Sequence, residues 1–317
     1  LLPIKSYVKM QRMAKFVIYP KKSMVVFTLI LVQFFFGIGT VTSKAILGVL
    51  PPLVWASVGD LIAGVLLWLI VLFFRGSFHF PRRGDWFSLF LCAFFGIFLS
   101  HASYMLGLSW TTATNASLIN TSIPLMTLLI AVFQGKEKSS LRNILGFFIA
   151  FLGVLTVHSF DSFSFSDETF LGDFFIFLGS LSTSLYLILS KSFMKDRDPI
   201  GSMAWIFLLG GSWLGGLVWI QGFQWSTIDW HAFLVPHILG SSCFSILGGT
   251  LFAYLLNFWA LAYVQSSSVA LFIYLQPVVT GVFAFLFLSE SFTARSLLSW
   301  FLILLGMVLA ISDKKHE

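Results

Sequence analysis

The residues of this chain that could do chemistry lie inside stretches otherwise suited to lipid. His101 and Tyr104 are three positions apart, which puts them on one face of a helix. A shift of 153 positions lands on Tyr254 and Asn257, again spaced by three and again polar. Ser117 and Asn120 share a face with Pro124, with Thr121 beside it, and Tyr274 and Gln276 approach the same depth on a later stretch. Ser180, Thr183 and Ser184 form a further group. Nothing in this set resembles a hydrolytic or metal centre. The chain has no HExxH and no glycine-rich phosphate loop ending in Gly-Lys-Ser/Thr, and Cys92 and Cys243 stand far apart. No metal or cofactor is expected. Hydroxyls, carboxamides and an imidazole can bind a small solute, and burying them in hydrocarbon is costly unless they face partners or a water-filled cavity. The competing reading is plain helix-to-helix hydrogen bonding, worth about 0.6 kcal/mol on average.

Asp60 is the one acidic residue deep in an apolar stretch. Counted from Pro52 at about 1.5 Å per residue, it sits roughly 12 Å into the membrane. Lys44 lies on the preceding stretch near the same face. The two are expected to pair, which would offset the burial of both charges. Alternatively, Asp60 loads and releases a coupling proton.

These residues need elements to hold them, and composition says which. Mean hydropathy is +0.93, 58% of residues are hydrophobic and 10% are charged, against about 25% charged in soluble domains. Ten stretches are long and apolar enough to cross a bilayer: Met24–Leu47, Leu53–Phe74, Trp86–Leu108, Thr112–Phe133, Leu141–Val157, Phe170–Ser190, Gly201–Ile220, Ile238–Leu261, Ser266–Leu288 and Ala294–Ile311. With the N-terminus cytoplasmic, the basic residues of the leader and of every second loop fall inside. Lys44 and Arg295 are left alone outside, beside Asp161, Asp167 and Glu168. Both termini are therefore expected to be cytoplasmic. The net charge of +6 is accounted for by cytoplasmic loops facing anionic lipid, so no nucleic-acid partner is expected.

The chain also repeats itself. Gly96, Pro124, Glu137, Arg142 and Gly153 recur at +153 as Gly249, Pro277, Glu290, Arg295 and Gly306. Ser43, Lys44 and Pro52 recur at +147 as Ser190, Lys191 and Pro199. Two modules follow, 24–159 and 171–312, with a basic leader at 1–23, an external linker at 160–170 and a tail at 313–317. Five spans per module is an odd number, so the second copy must be inverted relative to the first. Pro124 and Pro277 are candidate helix kinks. Glu137 and the nearby Ser139 and Ser140 are candidate loop and capping residues. Gly211 and Gly215 form a step suited to close helix packing.

With these motifs in place, the chain resembles the EamA-type transporters of the drug/metabolite transporter superfamily. The resemblance runs from Asn115-Ala116-Ser117-Leu118 through Pro124 to Glu137, and again from Ser266–Ala270 through Pro277 to Glu290. It implies an all-α integral membrane carrier of ten helices in two inverted five-helix repeats. It also implies a central cavity lined mainly by spans one, three, four, six, eight and nine. One departure stands out: members often carry Arg early in the second span, where this chain has Asp60.

The expected function is a secondary transporter of a small polar or amphipathic metabolite, amino acid-like or nucleoside-like, working by alternating access in a bacterial inner membrane. Its expected partners are a small-molecule substrate, a coupling proton or counter-substrate, and the lipid bilayer, with the protein monomeric or homodimeric. The alternatives are a multidrug-type efflux carrier and an intramembrane lipid-modifying enzyme. A channel would want a repeated filter or charged rings, and neither is present.

Overall fold

The computed structural model describes residues 21–75, 81–156, 168–193, 197–289 and 294–312. The leader up to residue 20, most of the linker, Glu290 and the tail 313–317 lie outside the described residues. Ten long helical segments carry the described chain: α1 (Lys22–Ile46), α2 (Pro52–Arg75), α3 (Trp86–Trp110), α4 (Ala113–Phe133), α5 (Leu141–Leu155), α6 (Glu168–Phe193), α7 (Pro199–Ile220), α8 (Pro236–Leu261), α9 (Ser266–Leu288) and α10 (Ala294–Ser312). Their ends fall within three residues of the stretches expected from hydropathy. Eight of them, all but α5 and α10, are long and apolar enough to cross a membrane. A helix suits such sequence because it satisfies its own backbone hydrogen bonds where water cannot.

Three starts follow familiar local rules. Thr112 accepts a hydrogen bond from the Asn115 N–H at the head of α4, and Asp198 accepts one from Gly201 ahead of Pro199 on α7. Ser140 likewise accepts from the Asn143 N–H at the head of α5.

Several helices are irregular, in ways that hydropathy does not encode. α3 contains a π-helical segment at Phe94–Leu99, and α8 contains one at Ser245–Phe252. These overlap under the 153-residue shift, with Gly96 and Gly249 inside them. In α4 the α-helix is interrupted at Thr121, three residues before Pro124, and in α9 a 3-10 turn at Phe272–Leu275 precedes Pro277. Each proline lacks the N–H that would reach back four residues, so the preceding turn cannot stay regular.

Helices related by the repeat pack on each other through bare backbone. A Cβ built on Gly64 would stand 2.9 Å from Leu208, and one on Gly211 would stand 3.1 Å from Leu61. These contacts exchange under the 147-residue shift and join α2 to α7. Gly215 faces Ser57 on the same seam, so the Gly211–Gly215 step serves packing within the bundle. α5 and α10 approach more closely still: a Cβ on Gly306 would lie 2.4 Å from the Gly146 carbonyl oxygen and the Ala150 nitrogen.

The recurring Ser-Lys pairs also find their place. Lys44 donates to the carbonyls of Leu108 (2.7 Å) and Thr111 (2.6 Å) at the end of α3. Lys191 donates to those of Leu261 and Val264 (both 2.7 Å) at the end of α8. Leu261 and Val264 are Leu108 and Thr111 shifted by 153. Each lysine thus satisfies carbonyls that a helix C-terminus leaves without partners, and its charge suits the negative end of the helix dipole.

Candidate functional site

A cavity of about 1050 Å³, counting the space at its mouth, lies among α1, α2, α3, α4, α6, α8 and α9. α2 belongs to the wall, through Trp55, Ala56, Gly59 and Asp60, beyond the six helices the family resemblance implied. α7, its counterpart in the second half, contributes no lining residue.

One hydrogen-bonded chain crosses this wall. His101 Nδ1 lies 2.8 and 2.9 Å from the two carboxylate oxygens of Asp60. His101 Nε2 lies 2.6 Å from the Tyr254 hydroxyl. His101 and Tyr254 are equivalent under the repeat, so these mates touch at the seam between the halves. Asp60 is 2% exposed. Its neighbours on α7 are apolar or bare, with Gly211 against its Cβ and Phe207 packed on the rings of both His101 and Tyr254.

The expected Asp60–Lys44 pair does not form. Lys44 sits at the end of α1, where the α3 carbonyls take its ammonium group, and Asp60 lies deeper, where His101 on α3 reaches it first.

The other candidates divide cleanly. Tyr104, Asn120, Thr183, Asn257 and Gln276 line the cavity together with Asp60, His101 and Tyr254. Tyr104 bonds to Thr40 at 2.8 Å, and Gln276 Nε2 approaches the same threonine at 3.4 Å. The Oδ1 atom of Asn257 is buried and has no hydrogen-bond partner among the described residues.

Ser117, Thr121, Ser180, Ser184 and Tyr274 lie outside the lining. Ser117 and Thr121 bond to carbonyls three residues back on their own helix, as hydroxyls in apolar helices readily do. Ser184 reaches the Ile123 carbonyl at 3.2 Å, and Ser180 supports Asn120 from behind at 3.0 Å. Tyr274 turns away altogether; it is fully buried and donates to the Phe147 carbonyl on α5 at 3.2 Å.

Sequence reasoning missed a second set. Ser43 meets Ser245 at 2.9 Å across α1 and α8, and Ser100 meets the expected candidate Thr183 at 2.7 Å across α3 and α6. Tyr186 and Thr40 also line the cavity. Ser43 and Thr40 lie one helical turn apart on α1, which was the available signal.

Away from the cavity, Asp85 at the head of α3 is paired with Arg197 in the loop before α7. The hydrogen bond from the Arg197 guanidinium holds the Asp85 carboxyl below the ordinary carboxylate range. Glu137 accepts from the Ser267 N–H at 3.3 Å, which places it at the N-terminus of α9 rather than of α5.

Comparison with known proteins agrees with this architecture. The profile of the EamA-like transporter family matches residues 23–158 and again 170–312. An uncharacterized transporter of Archaeoglobus fulgidus is 29% identical over 259 residues, covering 81% of this chain and 86% of its own. The uncharacterized transporter YyaM of Bacillus subtilis is 26% identical over 230 residues, covering 71% and 73%. A solved crystal structure with 18% identity superposes with a TM-score of 0.69, covering 90% of this chain and 95% of that one; at that identity the likeness concerns the fold alone. The family and the relatives' names point to a transporter rather than an enzyme.

Proposed function

The chain belongs to the EamA-like transporter family, and from that premise we propose that it is a secondary carrier. It moves a small polar or amphipathic metabolite across the cytoplasmic membrane by alternating access. Ten spans, both termini inside and two inverted five-helix repeats are part of this reading. The basic loops on one side and the double match of the family profile support it.

One observation carries the proposal: the polar cavity is built where repeat-related His101 and Tyr254 meet. A site on the seam between two halves stays fixed while the halves rock to open each side in turn. Rings in the same wall, among them Phe36, Trp55 and Tyr186, favour a second reading, efflux of a more apolar drug-like solute.

Counterflow into proteoliposomes preloaded with amino acids, nucleosides and related metabolites is the test. Transient uptake of at least one labelled solute above its equilibrium level is expected, and no exchange of any solute would overturn the carrier reading. Preferential exchange of apolar drugs would select the second reading. Orientation is checked by cysteine labelling in a Cys243→Ser background. An impermeant thiol reagent should reach Ser226→Cys in intact cells but Lys138→Cys only in broken ones.

A further inference from the structure

We propose that Asp60 and His101 form a proton-for-cation exchange site, so that the carrier takes a singly charged amidinium or ammonium solute in return for one proton. The inference rests on the carrier reading and assigns its substrate class and its coupling.

The charge content of the cavity comes first. No Lys or Arg lines it among the described residues; Asp60 is its one carboxylate and His101 its one imidazole. The remaining titratable groups in the wall are the phenols of Tyr104 on α3, Tyr186 on α6 and Tyr254 on α8. α4 and α9 present the carboxamides of Asn120 and Gln276, and α7 backs the pair with Phe207 and Gly211. The Lys44 ammonium is held by the α3 carbonyls at the helix end, away from the lining.

Two protonation states then fit the same heavy-atom geometry. When His101 is protonated on both nitrogens, Nδ1–H donates to Asp60 and Nε2–H donates to the Tyr254 oxygen. The site is then a neutral ion pair. When the Nε2 proton leaves to water, Nε2 instead accepts from the Tyr254 hydroxyl and Nδ1–H still donates to Asp60. The hydrogen bonds survive, but the cavity now carries one uncompensated negative charge in a medium where that is costly. A monocation restores neutrality, and the two occupants are mutually exclusive on electrostatic grounds. Their competition gives exchange when the unoccupied, negatively charged cavity does not itself change sides.

The wall offers what such a cation needs. Asn257 Oδ1, one turn from Tyr254, is a buried acceptor with no partner, ready for a solute N–H. Phe36, Trp55 and Tyr186 supply ring faces that attract a desolvated cation. A phosphate or dicarboxylate would meet only the like charge of Asp60.

The test uses the full chain in proteoliposomes at pH 6 inside and pH 8 outside, with the membrane potential clamped. The probe is labelled benzylguanidinium, which stays charged at both pH values, and the control is its neutral isostere benzylurea. One-for-one exchange allows accumulation of at most about 100-fold across that gradient. Gradient-driven accumulation of benzylguanidinium well above protein-free liposomes, and none of benzylurea, is expected. His101→Gln, which cannot carry the proton, should lose the response to pH; Asp60→Asn should lose cation uptake. Equal handling of both probes, or undiminished pH-driven accumulation in His101→Gln, overturns the proposal. If neither probe moves while an amino acid or nucleoside shows counterflow in the same vesicles, the exchange site is refuted and the carrier reading stands. If no solute moves at all, both fail.

Discussion

The α2–α3 contact of the first half and the α7–α8 contact of the second occupy equivalent places but hold different chemistry. In the first, Asp60 meets His101; in the second, Phe207 meets Tyr254 edge-on, with ring centroids 5.2 Å apart. Asp60 and Phe207 are related by the 147-residue shift, His101 and Tyr254 by 153. A second pair of positions diverges in the same sense. Asp85 and Arg197 join ionically, whereas their counterparts Ile238 and Leu50 are both buried and apolar. Backbone contacts, by contrast, have stayed alike: the glycines of α2 and α7 exchange partners, and the two lysines cap matching carbonyls. The duplicated scaffold is alike where helices touch, and the two ionic contacts have only apolar or aromatic residues at their repeat-related positions.

The contrast can be broken most forcefully at His101. His101→Ala leaves a 2%-exposed carboxylate without its partner, and stability in detergent should fall by about 3–5 kcal/mol. The double change Asp60→Leu with His101→Phe makes the first contact resemble the second. It should recover most of that stability without recovering transport. An unaltered melting temperature in His101→Ala would mean that Asp60 is not held in the charged pair.

The lysine caps test the likeness of the halves. Lys44→Met and Lys191→Met each remove charge-assisted hydrogen bonds worth about 1.5–3 kcal/mol. Comparable drops in thermal stability are expected from the two, and a loss confined to one would show that the caps have diverged. Phe207→Leu, which opens a small cavity at an apolar contact, should cost about 1–2 kcal/mol and leave the Asp60–His101 pair in place.

The smallest effect is expected at Asp85. Its partially exposed pair with Arg197 is worth about 0.2–1 kcal/mol. Because the folded carboxyl is held below its ordinary range, this contribution is full at neutral pH and disappears as pH falls through that depressed value. Asp85→Asn should flatten that part of an unfolding curve measured against pH. A variant that keeps the wild-type acid dependence would assign it to other carboxylates.

Hydropathy alone was enough to place the ten helices, because an apolar stretch bounded by charge has few other structures available to it. The shared face of His101 and Tyr104, and its echo at Tyr254 and Asn257, was legible for the same reason: spacing fixes the face of a helix. What spacing cannot fix is which neighbour that face meets. Asp60 was singled out but joined to the wrong partner, since the choice between Lys44 and His101 depends on relative depth across separate helices. Tyr274 lies between the cavity residues Ile273 and Gln276, which share a face, and it points instead toward α5. No pattern of residue types foretold the π-helical segments in α3 and α8.

The meeting of Gly146 and Gly306 has a consequence at the level of the gene. Every single-nucleotide missense change in a glycine codon introduces an amino acid with a Cβ, and at Gly306 that atom would fall 2.4 Å from backbone of α5. Backbone cannot turn aside as a side chain can. Every missense change at this codon therefore forces α5 and α10 apart from their present crossing. The pairing of these two helices is thereby held against change one base at a time, as is the backbone contact of Gly39 with Gly249 in the cavity wall.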